Sequence, residues 1–320
     1  MSQFKTYRHL IENALARQDF DLDPEELYQP ISYVMAMGGK RLRPALCLAG
    51  NELFGGSLDD AMMPALGIEI FHNYSLVHDD IMDKAQLRRG KKTVHQKWDI
   101  NRAILSGDAM LIKTYEYLAR VDKEILGSVL KCFTNTAIEL CEGQQMDMNF
   151  ENSPGVTEEE YLQMIQGKTA VLIGAALKIG ALTANVSPKQ ADILCHFGMH
   201  AGMAFQIQDD LLDAYGASAK VGKQSGGDIL QDKKTLLMIY GREADAEQLQ
   251  SLQQQNLEGE EKIQAYKNWF NKSGAREKTV AKRDSLLQMA FQELEDARVS
   301  NIELKEELRS FTQWLAHREH

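Results

Sequence analysis

The sequence predicts an all-α protein, a single bundle of helices. Three observations carry that reading. Apolar residues recur at helical spacing through nearly every segment of the 320 residues, and no run alternates as a half-buried strand does. Helix-start signals recur along the chain. Hydrophobic residues make up 44% of the chain, enough for one large domain to bury a sizeable core.

The elements follow in order. The N-terminal stretch MSQFKTYRHLIENALARQ mixes charge with apolar residues at helical spacing and has no signal-peptide core. Asp23-Pro24-Glu25-Glu26 offers an N-cap, a proline at N1 and an acid at N3. Pro44 is expected to open a helix that Gly55-Gly56 closes. Thr157-Glu158-Glu159-Glu160 has the form of a capping box, and Ser187-Pro188 repeats the cap-plus-proline pattern. The longest apolar run, Ala170 to Leu177, is broken by Lys178. It is too short to span a bilayer and reads as a buried helix, so no membrane span is expected. Residues 243–317, richer in Gln, Glu and Lys, suggest peripheral amphipathic helices around a central bundle. Loops are expected at Gly38-Gly39, Arg88 to Lys92, Asn152 to Gly155 and Gly216 to Gly227. No stretch has the composition of a linker, so residues 1–320 are expected to form one domain.

A net charge of −10 and a pI near 5.4 argue against a nucleic-acid partner. The four cysteines, Cys47, Cys132, Cys141 and Cys195, show no CxxC spacing. They read as buried reduced thiols of a cytoplasmic protein.

One internal echo matters. VHDDIMD (Val77 to Asp83) resembles IQDDLLD (Ile207 to Asp213), each at the end of an apolar helical stretch. Residues four apart on a helix lie one turn along on one face, about 6 Å apart. Asp79 and Asp83 therefore project together, with Asp80 to one side; Asp209, Asp213 and Asp210 do the same. Two ionised carboxylates at that distance repel by roughly 3 kcal/mol at an effective dielectric of 20. Protonation does not easily relieve this, because Asp stays ionised near neutral pH. A hard divalent cation does, and Mg²⁺ accepts oxygen ligands while keeping waters that phosphate oxygens can replace. The apolar neighbours Leu76, Val77, Ile81, Leu211 and Leu212 imply inward faces and argue against a solvated acidic patch.

Cations lie close by in sequence. Arg88 and Arg89 follow the first cluster, Lys40, Arg41 and Arg43 surround Gly38-Gly39, and Lys223 and Lys233 follow the second cluster. Guanidinium forks and ammonium point charges bind phosphate oxygens. No GxxxxGK[ST] loop is present, which disfavours a nucleotide. Carboxylates, Mg²⁺ and scattered cations in an acidic protein point to a diphosphate. His72 lies seven residues before Asp79 and shares its helix face; spacing alone leaves open a ligand or a satisfied core histidine. Thr169, after Lys168, either faces a cavity or serves as a helix-start hydroxyl.

At this point the motifs resemble those of the trans-isoprenyl diphosphate synthases, the polyprenyl synthetase family. GGKRLRP, EIFHNYSLVHDDIMD, RRG, LSGDAML, EGQQMD, GKTAVLI, FQIQDDLLD and GKQSGGD occur in the family's order within about residues 25–240. The resemblance implies an all-α bundle around a deep central cavity, working as a homodimer. It implies Mg²⁺-dependent condensation of isopentenyl diphosphate with an allylic diphosphate, with three ions present when substrate is bound. By position, Asp79, Asp83 and Asp209 would hold Mg²⁺. Arg88, Lys168, Lys223 and Lys233 would bind the allylic diphosphate. Lys40, Arg43, His72 and Arg89 would hold isopentenyl diphosphate. Thr169 and Gln206 would sit near the developing allylic cation. No side chain is an obvious base, so the released diphosphate is expected to take the final proton.

In the resembled family, bulk just upstream of the first aspartate motif forms the floor of the product tunnel. Tyr74, five residues before Asp79, is one aromatic without an insertion, the pattern of geranylgeranyl (C20) makers; a farnesyl (C15) maker is the alternative. An ideal helical wheel puts Tyr74 about 140° from Asp79, so Phe71 on its own face is a candidate for the deeper stop. A terpene cyclase normally lacks the second aspartate motif and needs no isopentenyl diphosphate site, and a squalene-type synthase shows other Asp spacings. A non-catalytic partner subunit of a heteromeric synthase typically loses an aspartate motif; both are intact here.

Overall fold

The computed structural model describes residues 2–151, 153, 155–216 and 226–318. The chain is all-α apart from one two-residue hairpin among the described residues. It divides into two compact units. The first comprises Met1–Thr134, Ala175–Leu194 and Arg298–Leu308; the second comprises Asn135–Gly174, Cys195–Ala297 and Arg309–His320.

The first unit begins with α1 (Ser2–Ala16), α2 (Glu25–Met35), α3 (Leu42–Glu52) and α4 (Leu58–Met82). Every residue of α4 from Pro64 to Phe71 is buried. A helix apolar on all sides belongs at the centre of its unit, and α4 packs against α3 and also against α6 (Ile100–Leu118). A short α5 (Val94–Lys97) precedes α6, and α7 (Lys123–Glu151) follows it.

Three local expectations change. Pro24 is itself the N-cap of α2, with no side-chain cap, so Asp23 lies one position outside the helix. The fixed φ of proline suits the extended N-cap position as well as N1. Helix α3 starts at Leu42, leaving Pro44 within the first turn, where its missing N–H has no intrahelical acceptor to lose. The expected loop Arg88 to Lys92 is a hairpin of β1 (Leu87–Arg88) and β2 (Lys91–Lys92), with Leu87 opposite Lys92 and Arg88 opposite Lys91. Its two-residue turn is Arg89-Gly90, both left-handed at φ 52° and 75°.

The second unit holds the C-terminal part of α7, then α8 (Glu158–Ile165), α11 (Gly227–Leu230), α12 (Leu236–Ala244), α13 (Ala246–Gln254), α14 (Gly259–Lys272) and α15 (Ala275–Asp296). The unit boundaries fall inside α7, α9 (Val171–Thr183), α10 (Pro188–Tyr215) and α16 (Ile302–His317). Thr157 and Glu160 form the capping box of α8 reciprocally. Tyr161, Leu237, Tyr240, Trp269 and Phe270 lie in the core of this unit.

Helices α8 and α9 are one continuous helix, joined by a π-helical turn at Gln166–Ala170. Glu158–Thr183 is long and apolar enough to cross a membrane, but 72% of its apolar window is buried inside the protein, as in a core helix. The expectation of uniformly buried thiols changes too: Cys47 is buried, whereas Cys141 is exposed.

Candidate active site

In the first unit the aspartates close α4. The Asp83 N–H donates to the Asp79 carbonyl at 2.8 Å, so the two side chains stay one helical turn apart to the end of the helix. Asp79 is half-buried, Asp83 exposed and Asp80 buried. Three acids at a helix C-terminus oppose its dipole, and a cation must offset them. Arg88, one strand later, supplies it: its Nη2 and Nε lie 2.7 and 2.8 Å from Asp80 Oδ1.

The GGKRLRP turn makes a second cluster. Arg41 is left-handed at φ 50° and buried; it donates to Glu69 Oε1 at 2.5 Å and to the Met35 carbonyl at 2.8 Å. Asn73 also donates to Glu69, at 3.1 Å. Arg41 is thereby a structural pin, with its charge already matched. Arg43 and Arg89 differ, because their acceptors are neutral. Arg43 Nη1 lies 3.3 Å from His72 Nε2, Arg43 Nε is buried with no hydrogen-bond partner among the described residues, and Arg89 donates to the Gly38 carbonyl. Burial, followed by the proximity of Arg43, Arg89, Arg88 and Arg41, drives the His72 pKa well below its ordinary value. The guanidinium can only donate, so Nε2 of the neutral imidazole accepts and Nδ1 carries the proton. Burial and Arg89 lower Arg43 itself to about 10, against the pull of Glu69. This end of the first unit is a basin with surplus positive charge, suited to a polyanion. Lys40 is exposed at its edge in sequence.

Phe71 and Tyr74 belong to an aromatic column. Phe71 lies 5.4 Å from Tyr74 and 4.9 Å from Phe133; Tyr115 lies 5.1 Å from Phe133, and Tyr74 lies 4.8 Å from His78. Phe71 and Phe133 are fully buried and Tyr74 is half-buried.

In the second unit a cavity of about 190 Å³ is lined by Asp147, Lys168, Thr169, Gln206, Asp210 and Lys233, among others. Lys168 and Thr169 lie on the π turn, not at a helix start. A close approach by α7 accompanies that turn. A Cβ on Gly143 would stand 2.2 Å from the Lys168 nitrogen, and one on Gly167 would stand 2.8 Å from the Glu139 carbonyl oxygen. Two glycines thus let α7 and the π turn touch backbone to backbone.

Two of the three cavity lysines have an acidic partner: Lys168 Nζ lies 2.5 Å from Asp147 Oδ2, and Lys233 Nζ lies 2.9 Å from Asp228 Oδ1, whereas Lys234 donates to the Asp232 carbonyl. Burial works against the Lys233 ammonium, but Asp228, Asp210 and Asp147 together raise its pKa. Burial, then repulsion from Asp228, pushes Asp210 up to about 7, so protonation is within reach for this aspartate, contrary to the expectation for the cluster as a whole. Asp213 accepts from the Asp228 N–H at 2.8 Å. Asp209 forms an ion pair with Arg318, whose guanidinium also stacks 4.5 Å from the Phe205 ring centre. Lys223 lies outside the described residues.

The model of one protein family, polyprenyl synthetase, matches residues 24–273. The chain belongs to the polyprenyl synthetase family. Its relatives include a geranylgeranyl diphosphate synthase of Methanosarcina mazei, 44% identical over 68% of this chain and 67% of that protein. A short chain isoprenyl diphosphate synthase of Methanothermobacter thermautotrophicus is 36% identical over 100% of this chain and 99% of that one. Among solved structures, a geranylgeranyl pyrophosphate synthase superposes with a TM-score of 0.93 at 40% identity, covering 99% of both chains. The geranylgeranyl pyrophosphate synthetase of Pyrococcus horikoshii gives 0.92 at 33%, again covering 99% of both.

For a polyprenyl synthetase, the donor set matters more than any closed metal cage. No three His, Cys, Asp or Glu side chains among the described residues converge into one. The donors are hard carboxylate oxygens in i,i+4 pairs, which fits Mg²⁺ held through one or two carboxylates plus substrate phosphates, and does not fit a structural zinc. Glu69, Asp147, Asp228, Tyr161 and Arg318 join these clusters without being singled out by any sequence pattern described above. Asp147 and Asp228 end the EGQQMD and GKQSGGD motifs and were visible there. Tyr161 and Arg318 carry no local signal.

Proposed function

We propose that this polyprenyl synthetase condenses isopentenyl diphosphate with an allylic diphosphate, head to tail and in the trans geometry, and that its product is geranylgeranyl diphosphate. The observation that carries this is the Arg43–His72–Arg89 basin. An enzyme that only ionises an allylic diphosphate needs no second polyanion site, whereas a condensing enzyme does. Lys40, Arg43, His72 and Arg89 are assigned to isopentenyl diphosphate; Arg88, Lys168, Lys223 and Lys233 to the allylic diphosphate; and Asp79, Asp83 and Asp209 to Mg²⁺. When bound, Mg²⁺ supplies charge neutralisation of the leaving diphosphate. Lys168 and Lys233 add cationic stabilisation of the same developing charge in a partly water-excluded cavity. Gln206 and Thr169 present neutral oxygens to the allylic carbon as it becomes cationic.

The C20 assignment rests on Tyr74 and Phe71 as the floor, backed by Phe133, and on the geranylgeranyl diphosphate synthases among the relatives; a farnesyl product is not favoured. A homodimer is supported by α6, which exposes Ile100, Ile104, Leu105 and Ile112, the last at 71%. The cytoplasmic assignment rests on cysteine usage alone.

One incubation tests the reading: purified protein, Mg²⁺, labelled isopentenyl diphosphate and each allylic primer in turn, with products resolved by chain length. Incorporation of label into a C20 diphosphate is expected, together with loss of turnover by several orders of magnitude in Asp79→Ala and Asp209→Ala. Consumption of the allylic primer without label would indicate a cyclase. Activity of the isolated chain removes the partner-subunit alternative.

A further inference from the structure

Four polar side chains in the second-unit cavity form one directed chain of hydrogen bonds. Tyr161 Oη donates to Asp210 Oδ2 at 2.6 Å. Gln206 Nε2 donates to Asp210 Oδ1 at 3.1 Å. Thr169 Oγ1 donates to Gln206 Oε1 at 3.1 Å. Tyr161 is 2% exposed and Asp210 is 8% exposed, so neither group exchanges its partner freely with water.

The direction of the chain follows from chemistry. Both Asp210 oxygens act as acceptors, Oδ2 from Tyr161 and Oδ1 from Gln206, so the NH₂ end of the Gln206 amide faces the carboxyl group. The carbonyl end must then point the other way, towards Thr169. With its proton committed to Gln206, the Thr169 hydroxyl presents only lone pairs to the remaining space. Two oxygens, both neutral, then line the cavity where Lys168 and Lys233 also lie.

The backbone supports this arrangement. Gln206 and Asp210 are one turn apart on α10, a favourable spacing for an amide–carboxylate pair. Tyr161 and Thr169 lie eight positions apart on one helix, about 80° out of phase in an unbroken α-helix. The π turn acts as one inserted residue and returns Thr169 to within about 20° of the Tyr161 face. One helix can then serve both ends of the chain.

We infer that Tyr161 is a positioning residue that acts through Asp210 to keep the Gln206 carbonyl oxygen, and not its NH₂ group, facing the reacting carbon. The inference rests on the proposed condensation and adds a residue to it. A carbonyl dipole aimed at developing positive charge favours ionisation; an amide NH₂ aimed there opposes it. Without the phenol, Asp210 Oδ2 loses its anchor and the carboxyl group can rotate, so the Gln206 amide is no longer held in one orientation.

The test is a double-mutant cycle on the full chain: wild type, Tyr161→Phe, Gln206→Leu and the double variant, with thermal unfolding recorded for each. Tyr161→Phe is expected to lower kcat about tenfold while changing KM for either substrate less than twofold. In the Gln206→Leu background the same substitution is expected to change kcat less than twofold, because there is no amide left to orient. Equal losses in both backgrounds mean that Tyr161 only supports the core, and overturn the inference; so does an unchanged kcat in Tyr161→Phe. Should Tyr161→Phe not accumulate as folded protein, Asp210→Asn repeats the cycle from the middle of the chain, with the same non-additivity expected and additivity counting against it. Failure of the wild type to condense the two diphosphates overturns the functional reading and this inference together. An active wild type with an additive cycle overturns the inference alone.

Discussion

The contact between Gly143 and the π turn gives a sharp test of how the second-unit cavity is held. In Gly143→Ala the new methyl would stand 2.2 Å from the Lys168 nitrogen and 2.6 Å from the Gly167 carbonyl carbon, against an ordinary contact of at least 3.4 Å. The shortfall is 3.4 − 2.2 = 1.2 Å, and both obstructing atoms are backbone, so no side-chain rotation relieves it. Either α7 or the turn must move by about that distance. Overpacking of this kind costs about 1–3 kcal/mol of stability. A displacement of about 1 Å in groups that position substrate costs on the order of 100-fold in rate. Gly143→Ala should therefore show a modestly lower Tm and a far larger fall in kcat, with Lys168 and Thr169 displaced together. Steady-state condensation assays and thermal unfolding on the same preparation measure both. A variant with unchanged kcat and Tm would refute the claim that this close approach sets the position of Lys168 and Thr169.

Four further outcomes are expected. Tyr74→Ala should lengthen the product, with Phe71 and Phe133 behind it limiting the gain; an unchanged chain-length distribution refutes the floor assignment. Arg43→Gln should raise KM for isopentenyl diphosphate about tenfold to a hundredfold, the range for losing a charge-assisted hydrogen bond, while leaving KM for the allylic primer largely unaltered. His72 has a depressed folded-state pKa, so below about pH 6.5 the unfolded chain binds a proton that the folded chain refuses. Stability should accordingly fall as pH drops through that value, and the difference between wild type and His72→Gln in denaturant unfolding should change with pH below it and become constant above it. Arg318→Met removes the cation paired with Asp209, and Mg²⁺ titration followed by calorimetry should show about twofold to fivefold tighter binding; unchanged or weaker binding counts against that competition.

Much of the site was legible because its signals are local. The pairs Asp79/Asp83 and Asp209/Asp213 are fixed by helical geometry once the segment is a helix, and the Asp83–Asp79 backbone bond shows that the geometry persists to the last turn. The capping box at Thr157 and the cap at Ser187-Pro188 follow the same logic. The hairpin at Leu87–Lys92 was not legible. Its two paired positions are too short for an alternation to register, and a left-handed arginine is an unusual turn residue, here donating to the Gly38 carbonyl. The π turn was hidden too, since GKTAVLI reads as ordinary apolar helix.

The sequence by itself determined the helical class, the two aspartate repeats and the inventory of cations, because periodicity, spacing and composition are properties of one segment at a time. Only the tertiary structure decided which charge meets which. It paired Arg41 with Glu69, Lys168 with Asp147 and Asp209 with Arg318, and it left Arg43 and Arg89 facing neutral acceptors. Those pairings join residues 21 to 109 positions apart. A Coulomb interaction depends on distance and burial, and neither is defined until the helices have packed.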